Sequence, residues 1–202
     1  MGLSAGLLSP LPRDFFEPHV SRVAKALLGR FLVRSSGGRT KVGMVVEVEA
    51  YRGFEDPASH AFRGRTRRNE VMFGPPGRAY IYRSYGLHLC LNVTAEPEGQ
   101  PAAVLIRALE PVGGFEAQLR ELPLEARLRL TSGPARLAKA LELSYDMNGC
   151  DMTRQGELYL AWGLPVPERL IESSSRVGVM DPQRRPWRFY IKNNPFVSRA
   201  SP

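Results

Sequence analysis

Two carboxylates and a phenol fall at alternate positions in Val42-Gly43-Met44-Val45-Val46-Glu47-Val48-Glu49-Ala50-Tyr51. Extended backbone repeats every two residues, so Glu47, Glu49 and Tyr51 share one face of a strand, with Met44, Val46, Val48 and Ala50 on the other. Carboxylates so spaced lie ~7 Å apart. In a dry site that is near enough for one to raise the pKa of the other and prepare a general base. The same pattern also describes a solvated sheet face.

Two further segments have the composition of a nucleic-acid surface. Arg63-Gly64-Arg65-Thr66-Arg67-Arg68-Asn69 sets four arginines within six positions, with neither helical nor strand periodicity. It reads as a phosphate-contacting loop or as a solvated charge run. The stretch from Arg78 to Val93 alternates on both sides of a turn where Gly86 can take positive φ, which leaves Tyr85 at an exposed tip. Tyrosines commonly fill cores and edges, but one at a tip beside Arg83 has the shape of a wedge for a base stack.

The elements that hold these segments follow from periodicity. Val20, Val23, Ala24, Leu27 and Leu28 predict a helix over 18–28, with Pro18 in its first turn and Gly29 at its C-terminal cap. Runs at 30–34 and 41–51, separated by Ser35-Ser36-Gly37-Gly38, predict a hairpin. Strands are expected near 78–82, 87–94, 102–109, 157–162 and 187–192. Helices are expected near 115–121 and over Pro134 to Leu143, the latter capped by Ser132. This is an α+β fold with a largely antiparallel sheet. No linker or repeat divides the chain, so a single domain is expected over 1–202, with 1–14 a flexible lead-in.

Composition narrows the partners. Lys+Arg number 28 against 20 Asp+Glu, a net charge of +8, which favours polyanions. Only Lys25, Lys41, Lys139 and Lys192 are lysines, so arginine forks suited to phosphate carry the charge. Cys90 and Cys150 fit neither a disulfide scaffold nor a zinc site. His19, His60 and His88 do not combine with other ligands at metal spacing, and no G-x-G-x-x-G or P-loop is present, so no cofactor and no metal are expected. The opening residues lack the features of an export signal, and no apolar run approaches the ~20 residues of a membrane span. A soluble intracellular protein is expected, cytoplasmic and nucleoid-associated in a prokaryote or nuclear in a eukaryote, with no membrane partner.

Glu49-Ala50-Tyr51, His60, Met72-Phe73, Tyr82-x-x-Tyr85-Gly86, Asn92 and Leu105-Ile106-Arg107-Ala108-Leu109-Glu110-Pro111 occur in the order and spacing of the alkyladenine (3-methyladenine) DNA glycosylases. The chain resembles that family from about Phe15 to Ser198, including Ser132-Gly133-Pro134, Arg176-Val177-Gly178-Val179 and Arg188-Phe189-Tyr190. It departs at Leu87, where methionine is common, and in a loop between His60 and Met72 that is one residue shorter.

The resemblance implies one α/β domain whose curved antiparallel sheet offers a protruding hairpin to the DNA minor groove. It implies a monofunctional glycosylase that flips alkylated or deaminated purines (3-methyladenine, 7-methylguanine, hypoxanthine, ethenoadenine) from double-stranded DNA, hydrolyses the N-glycosidic bond and leaves an abasic site. Glu49 matches the general base, with Glu47 in support. Tyr51, His60 and Tyr82 match the residues that sandwich the flipped base. Asn92 matches the residue that obstructs the guanine 2-amino group, and Arg107 one that holds the nucleotide's phosphate or a water network. Tyr85 matches the intercalating residue, and Arg63, Arg65, Arg67 and Arg68 become expected phosphate contacts. None of the lysines falls on a pocket position, which argues against a Schiff base. The protein is expected to act as a monomer.

Two other readings compete. A non-catalytic nucleic-acid-binding module would use the basic loop and hairpin alone. A carbohydrate hydrolase would use Glu47 and Glu49 as its paired carboxylates. His88, Trp187 and the Arg184-Arg185-Pro186 cluster receive no role.

Overall fold

The computed structural model describes residues 5–198. Among them, eight strands form one sheet in which every pairing is antiparallel. Its axis is the long strand β2 (Arg39–Arg52), which follows β1 (Phe31–Ser36) across a turn at Gly37 and Gly38. Along one edge β2 pairs with β5 (Ala102–Gly113); along the other, β1 covers its first half and β8 (Arg188–Ile191) the stretch from Glu47 to Glu49. The order β3-β4-β5-β2-β1-β6 is completed by β3 (Ala79–Ser84), β4 (His88–Thr94) and β6 (Leu158–Ala161), while β7 (Ile171–Ser174) pairs with β8. The sheet curls into a half-barrel.

The α+β architecture, with a curved antiparallel sheet, flanking helices and a projecting β3–β4 hairpin, is therefore as expected. Helix α1 (Val20–Leu27) buries Val20, Val23, Ala24 and Leu27, one stripe of a 3.6-residue repeat, and packs on β2 and β5. Pro18 lies outside the helix, ahead of the His19 cap. Gly29 does take positive φ, 80°, and a Cβ there would lie 1.9 Å from the Leu164 carbonyl oxygen, so a close chain approach enforces glycine. The short helices α2 (Glu116–Arg120) and α3 (Leu124–Arg127) lie on the surface, and α4 (Pro134–Ala140) packs on β4 and β5. Ser132 does not cap α4: the N-cap is Gly133 at φ 114°, and the Ser132 carbonyl instead accepts from Arg136 Nε.

Residues 1–4 of the expected lead-in lie outside the described residues. In the remainder, Leu11 is fully buried and Pro10 bridges to Ala161, so this segment packs against the sheet edge.

The strict alternation expected along β2 fails at one place that matters. Its pairing with β5 steps from Val45↔Leu109 to Glu47↔Ala108 to Val48↔Ile106, which leaves Val46 and Arg107 without partners in the ladder. This bulge resets the faces. Val45, not Met44, joins Val48 and Ala50 in the main core, while Met44 packs with Phe31, Val33 and Val42 in a separate cluster. A bulge re-aims side chains beside it. Here it turns Arg107 toward Glu47 and Glu49.

Candidate active site

The Glu47/Glu49 face is fully buried, so it is not a solvated sheet surface. Glu49 Oε1 accepts from the Val177 backbone N–H at 2.7 Å and lies 3.2 Å from Arg107 Nη1. Glu49 Oε2 accepts the Tyr51 hydroxyl at 2.7 Å, a pairing that two-residue strand spacing makes possible. Burial, and then the neighbouring Glu49 carboxylate, pushes the Tyr51 phenol well above its usual range, which keeps it protonated and donating.

Glu47 is caged. Its Oε1 accepts from Arg107 Nε at 2.8 Å, Arg188 Nε at 2.7 Å and the Ser198 hydroxyl at 2.8 Å, and its Oε2 from the Ser198 N–H at 2.6 Å. Burial alone would raise this carboxyl, but Arg107 and Arg188 together hold it below its usual range. The expected carboxylate pair with one member raised is thus, for Glu47, reversed in direction by two guanidinium groups. Arg107 spans both acids and also donates to Ser198 Oγ at 3.3 Å. Those bonds tie it into the protein interior beside the acids. Its charge acts on Glu49.

Beside Glu49 lies a cavity of about 60 Å³ lined by Tyr51, Ala58, His60, Met72, Tyr80, Tyr82, Asn92, Ala103 and Val179. Four of the five expected pocket residues, Tyr51, His60, Tyr82 and Asn92, line it; Arg107 stands behind with the acids. The rings of His60 and Tyr82 meet edge to face, 4.5 Å between centroids. His60 Nδ1 is 2.8 Å from the Tyr80 hydroxyl. Burial and then the Arg68 charge lower the His60 pKa, so the imidazole is neutral at neutral pH, while burial pushes the Tyr80 phenol up to about 12. Asn92 is fixed by donating to the Tyr80 carbonyl at 3.0 Å.

The hairpin stands out from this pocket. Tyr85, at φ 48°, and Gly86, at φ 74°, form the tip, and Tyr85 is 93% exposed. Arg63, Arg65, Arg67 and Arg68 are all exposed. Arg65 lies over the Phe73 ring, while Arg68 sits 5.7 Å from the Tyr82 ring centroid and donates to the Arg83 carbonyl, which ties the basic loop to the hairpin.

Several residues that shape the site escaped sequence reasoning. Asn69 is buried and bonds to the Thr66 N–H and the His60 and Gly64 carbonyls, so it staples the basic loop to the pocket. An Asn closing an Arg- and Gly-rich run was the available signal. Arg176 carries Val177 to Glu49: it donates to Asp56 at 2.5 and 2.7 Å and stacks 4.6 Å from the Tyr51 ring centroid. Trp187 packs beneath Arg176 and Arg185. None of the lysines lines the cavity, and no group of three or more His, Cys, Asp or Glu that could hold a metal forms among the described residues.

Comparison with known proteins accords with this arrangement. Residues 14–195 match the model of the family described as "Methylpurine-DNA glycosylase (MPG)". Proteins named "Putative 3-methyladenine DNA glycosylase" are similar along nearly their whole lengths. That of Carboxydothermus hydrogenoformans is 47% identical over 189 residues, covering 94% of this chain and 98% of its own. That of Streptomyces avermitilis is 47% identical over 194 residues, 94% and 91% of the two chains. The counterpart in Methanocella arvoryzae is 44% identical over 197 residues, 95% and 97%. With this match across nearly its whole length, the chain belongs to the methylpurine-DNA glycosylase family and is a DNA glycosylase, a hydrolase that acts on alkylated purines.

Proposed function

We propose that the protein rotates an alkylated or deaminated purine out of duplex DNA into the Tyr51/His60/Tyr82/Asn92 pocket, and that Glu49 activates the water that replaces it. The carrying observation is the setting of Glu49. One oxygen holds Val177 and Arg107, and the other accepts, among the described residues, only the Tyr51 hydroxyl, whose ring lines the cavity. That second oxygen retains a lone pair for a water.

In this reading the water oxygen bonds to the sugar C1′ while the C1′–N bond breaks and its electron pair leaves with the base. The water's proton passes to Glu49. Aromatic walls favour electron-poor rings, and a cationic base such as 3-methyladenine already carries the charge that makes it leave. A neutral base such as hypoxanthine or ethenoadenine must also gain a proton. With the Tyr80 hydroxyl on Nδ1, the neutral His60 keeps Nε2 for the base. Asn92, held by Tyr80, is placed to obstruct a 2-amino group. Tyr85 fills the stack left by extrusion, which offsets an unstacking that costs a few kcal/mol. No lysine supports a Schiff base, so the product is an intact abasic site. The protein acts as a monomer in this reading.

The test is base release from methylated duplex DNA and from a duplex with one hypoxanthine, by wild type and Glu49→Gln, with binding measured alongside. The variant should lose about 10²–10⁴-fold in single-turnover rate, the usual contribution of a general base, and still bind. Full release by Glu49→Gln would remove Glu49 from the mechanism.

A further inference from the structure

Two large hydrophobic side chains among the described residues are more than nine-tenths exposed: Tyr85 at 93% and Met180 at 92%. Singly exposed apolar residues are common on any surface, so exposure by itself means little. The placement of these two is what carries weight. The pocket runs across four consecutive strands, with Tyr51 on β2, Ala103 on β5, Asn92 on β4 and Tyr80 and Tyr82 on β3, about 14 Å at the ordinary strand spacing. Tyr85 continues from the β3 end. At the β2 end, the wall is Val179, from the loop that joins β7 to β8, and Met180 is the next residue along.

That loop is rigidly built. Arg176, with no exposed side-chain surface, grips Asp56 and Asp181. Asp181 in turn accepts from the Gln183 and Arg185 N–H groups and from Arg185 Nη1 at 2.8 Å, and its carbonyl accepts the Arg184 N–H. Arg185 also donates to the Glu55 carbonyl at 2.6 Å. Trp187 and Ala50 join the loop's end to β2. A loop so pinned holds Met180 outward by construction. Arg184 stands at φ 47°, in the left-handed region, exposed and with no side-chain partner among the described residues, whereas its neighbour Arg185 is engaged. Met180, Arg184 and Pro182 line one groove of about 700 Å³ next to the pocket.

We propose that the β7–β8 loop is a second DNA-gripping element: Met180 is an apolar probe for the minor groove at the end of the pocket away from Tyr85, and Arg184 holds an adjacent phosphate. Methionine is among the side chains that wedge between base steps, and its flexible thioether adapts to an irregular groove. A free guanidinium a few residues away supplies the backbone contact that fixes register. The flipped nucleotide is then flanked by two apolar probes, one on each side. This rests on the base-extrusion reading above.

The full chain, with Met180→Ser, Arg184→Gln and, as a control from an exposed site outside the pocket and its groove, Leu164→Ser, is assayed on duplex DNA methylated with dimethyl sulfate. Single-turnover release of methylated purines, thermal stability and the salt dependence of duplex binding are measured. Met180→Ser should slow release about tenfold with an unchanged Tm, a pattern a merely structural role would not give at a fully exposed site. Arg184→Gln should reduce the slope of log affinity against log salt by about 0.9, the value of one phosphate contact. Leu164→Ser should match wild type in all three. Wild-type release by Met180→Ser together with a wild-type salt slope for Arg184→Gln would overturn the proposal while the extrusion reading stands. Absence of release from the wild type would overturn that reading and this one with it.

Discussion

The carboxylate cluster and the hairpin tip sit within one site and are built in opposite ways. Around Glu47 every polar group is buried and paired: two arginines, a serine hydroxyl and a backbone N–H converge on one side chain. At the β3–β4 tip, Tyr85 and Leu87 are left to solvent at 93% and 75% exposure, and Arg63 and Arg67 carry no side-chain partner among the described residues. Bond breaking needs charges that do not reorganise during the reaction, which only a dry, over-determined cluster provides. Grasping DNA needs groups whose partners arrive with the DNA. Substitutions should therefore damage stability in the first region and DNA handling in the second.

The largest expected effect breaks the buried half. Glu47→Ala leaves Arg188 as an uncompensated interior charge and Arg107 with Glu49 alone, so it should lower unfolding stability by about 3–5 kcal/mol in urea. A loss below about 1 kcal/mol would mean that the cage is not a structural unit. Acid carries the same signature. Because the folded Glu47 carboxyl is held below its usual 4.5, its contribution is fully present above that pH and is lost as pH falls through the lowered folded value. Glu47→Gln, which cannot titrate there, should show a flatter decline of stability below about pH 4.5 than the wild type.

The middle-sized effect belongs to the exposed half. Tyr85→Ala removes a side chain that touches little protein, so stability should stay within about 0.5 kcal/mol. Unstacking a base costs a few kcal/mol, and loss of the wedge should slow single-turnover excision by about 10–100-fold. An unchanged rate would show that the tip does not enter the stack. A change in Tm comparable to that of Glu47→Ala would erase the contrast between the two regions.

The same contrast explains what could be read from sequence. Glu47, Glu49 and Tyr51 were legible as one face because strand alternation groups them, Tyr85 because a glycine after an alternating run marks a tip, and His60, Tyr82 and Asn92 only through the family resemblance. What alternation could not reveal was the bulge. It moves Met44 off the core face and brings Arg107 to the acids, and its signal is a mismatch between two strands 60 residues apart. Arg176 and Asp56 pair across 120 residues, a contact that only the assembled sheet defines. Ser132 failed as a helix cap because its carbonyl, not its hydroxyl, meets the helix, through Arg136. Local chemistry was readable and long-range pairing was not.

The smallest expected effect separates two neighbours in the basic loop. Arg67 is exposed without a side-chain partner among the described residues, whereas Arg68 reaches the Arg83 carbonyl and lies over the Tyr82 ring. If Arg67 contacts only phosphate, Arg67→Gln should reduce the slope of log affinity against log salt by about 0.9. Between 50 and 200 mM salt that makes the variant's affinity fall roughly threefold less than the wild type's, with the rate of base release at saturating enzyme unchanged. Arg68→Gln should lose a similar share of the slope and also slow release, because the link between loop, hairpin and pocket ring goes with it. Salt titrations of both variants on one duplex, read beside single-turnover rates, check the pair. Equal effects on release would make the two arginines interchangeable surface charge, and the boundary between fixed and free groups would then lie outside the basic loop.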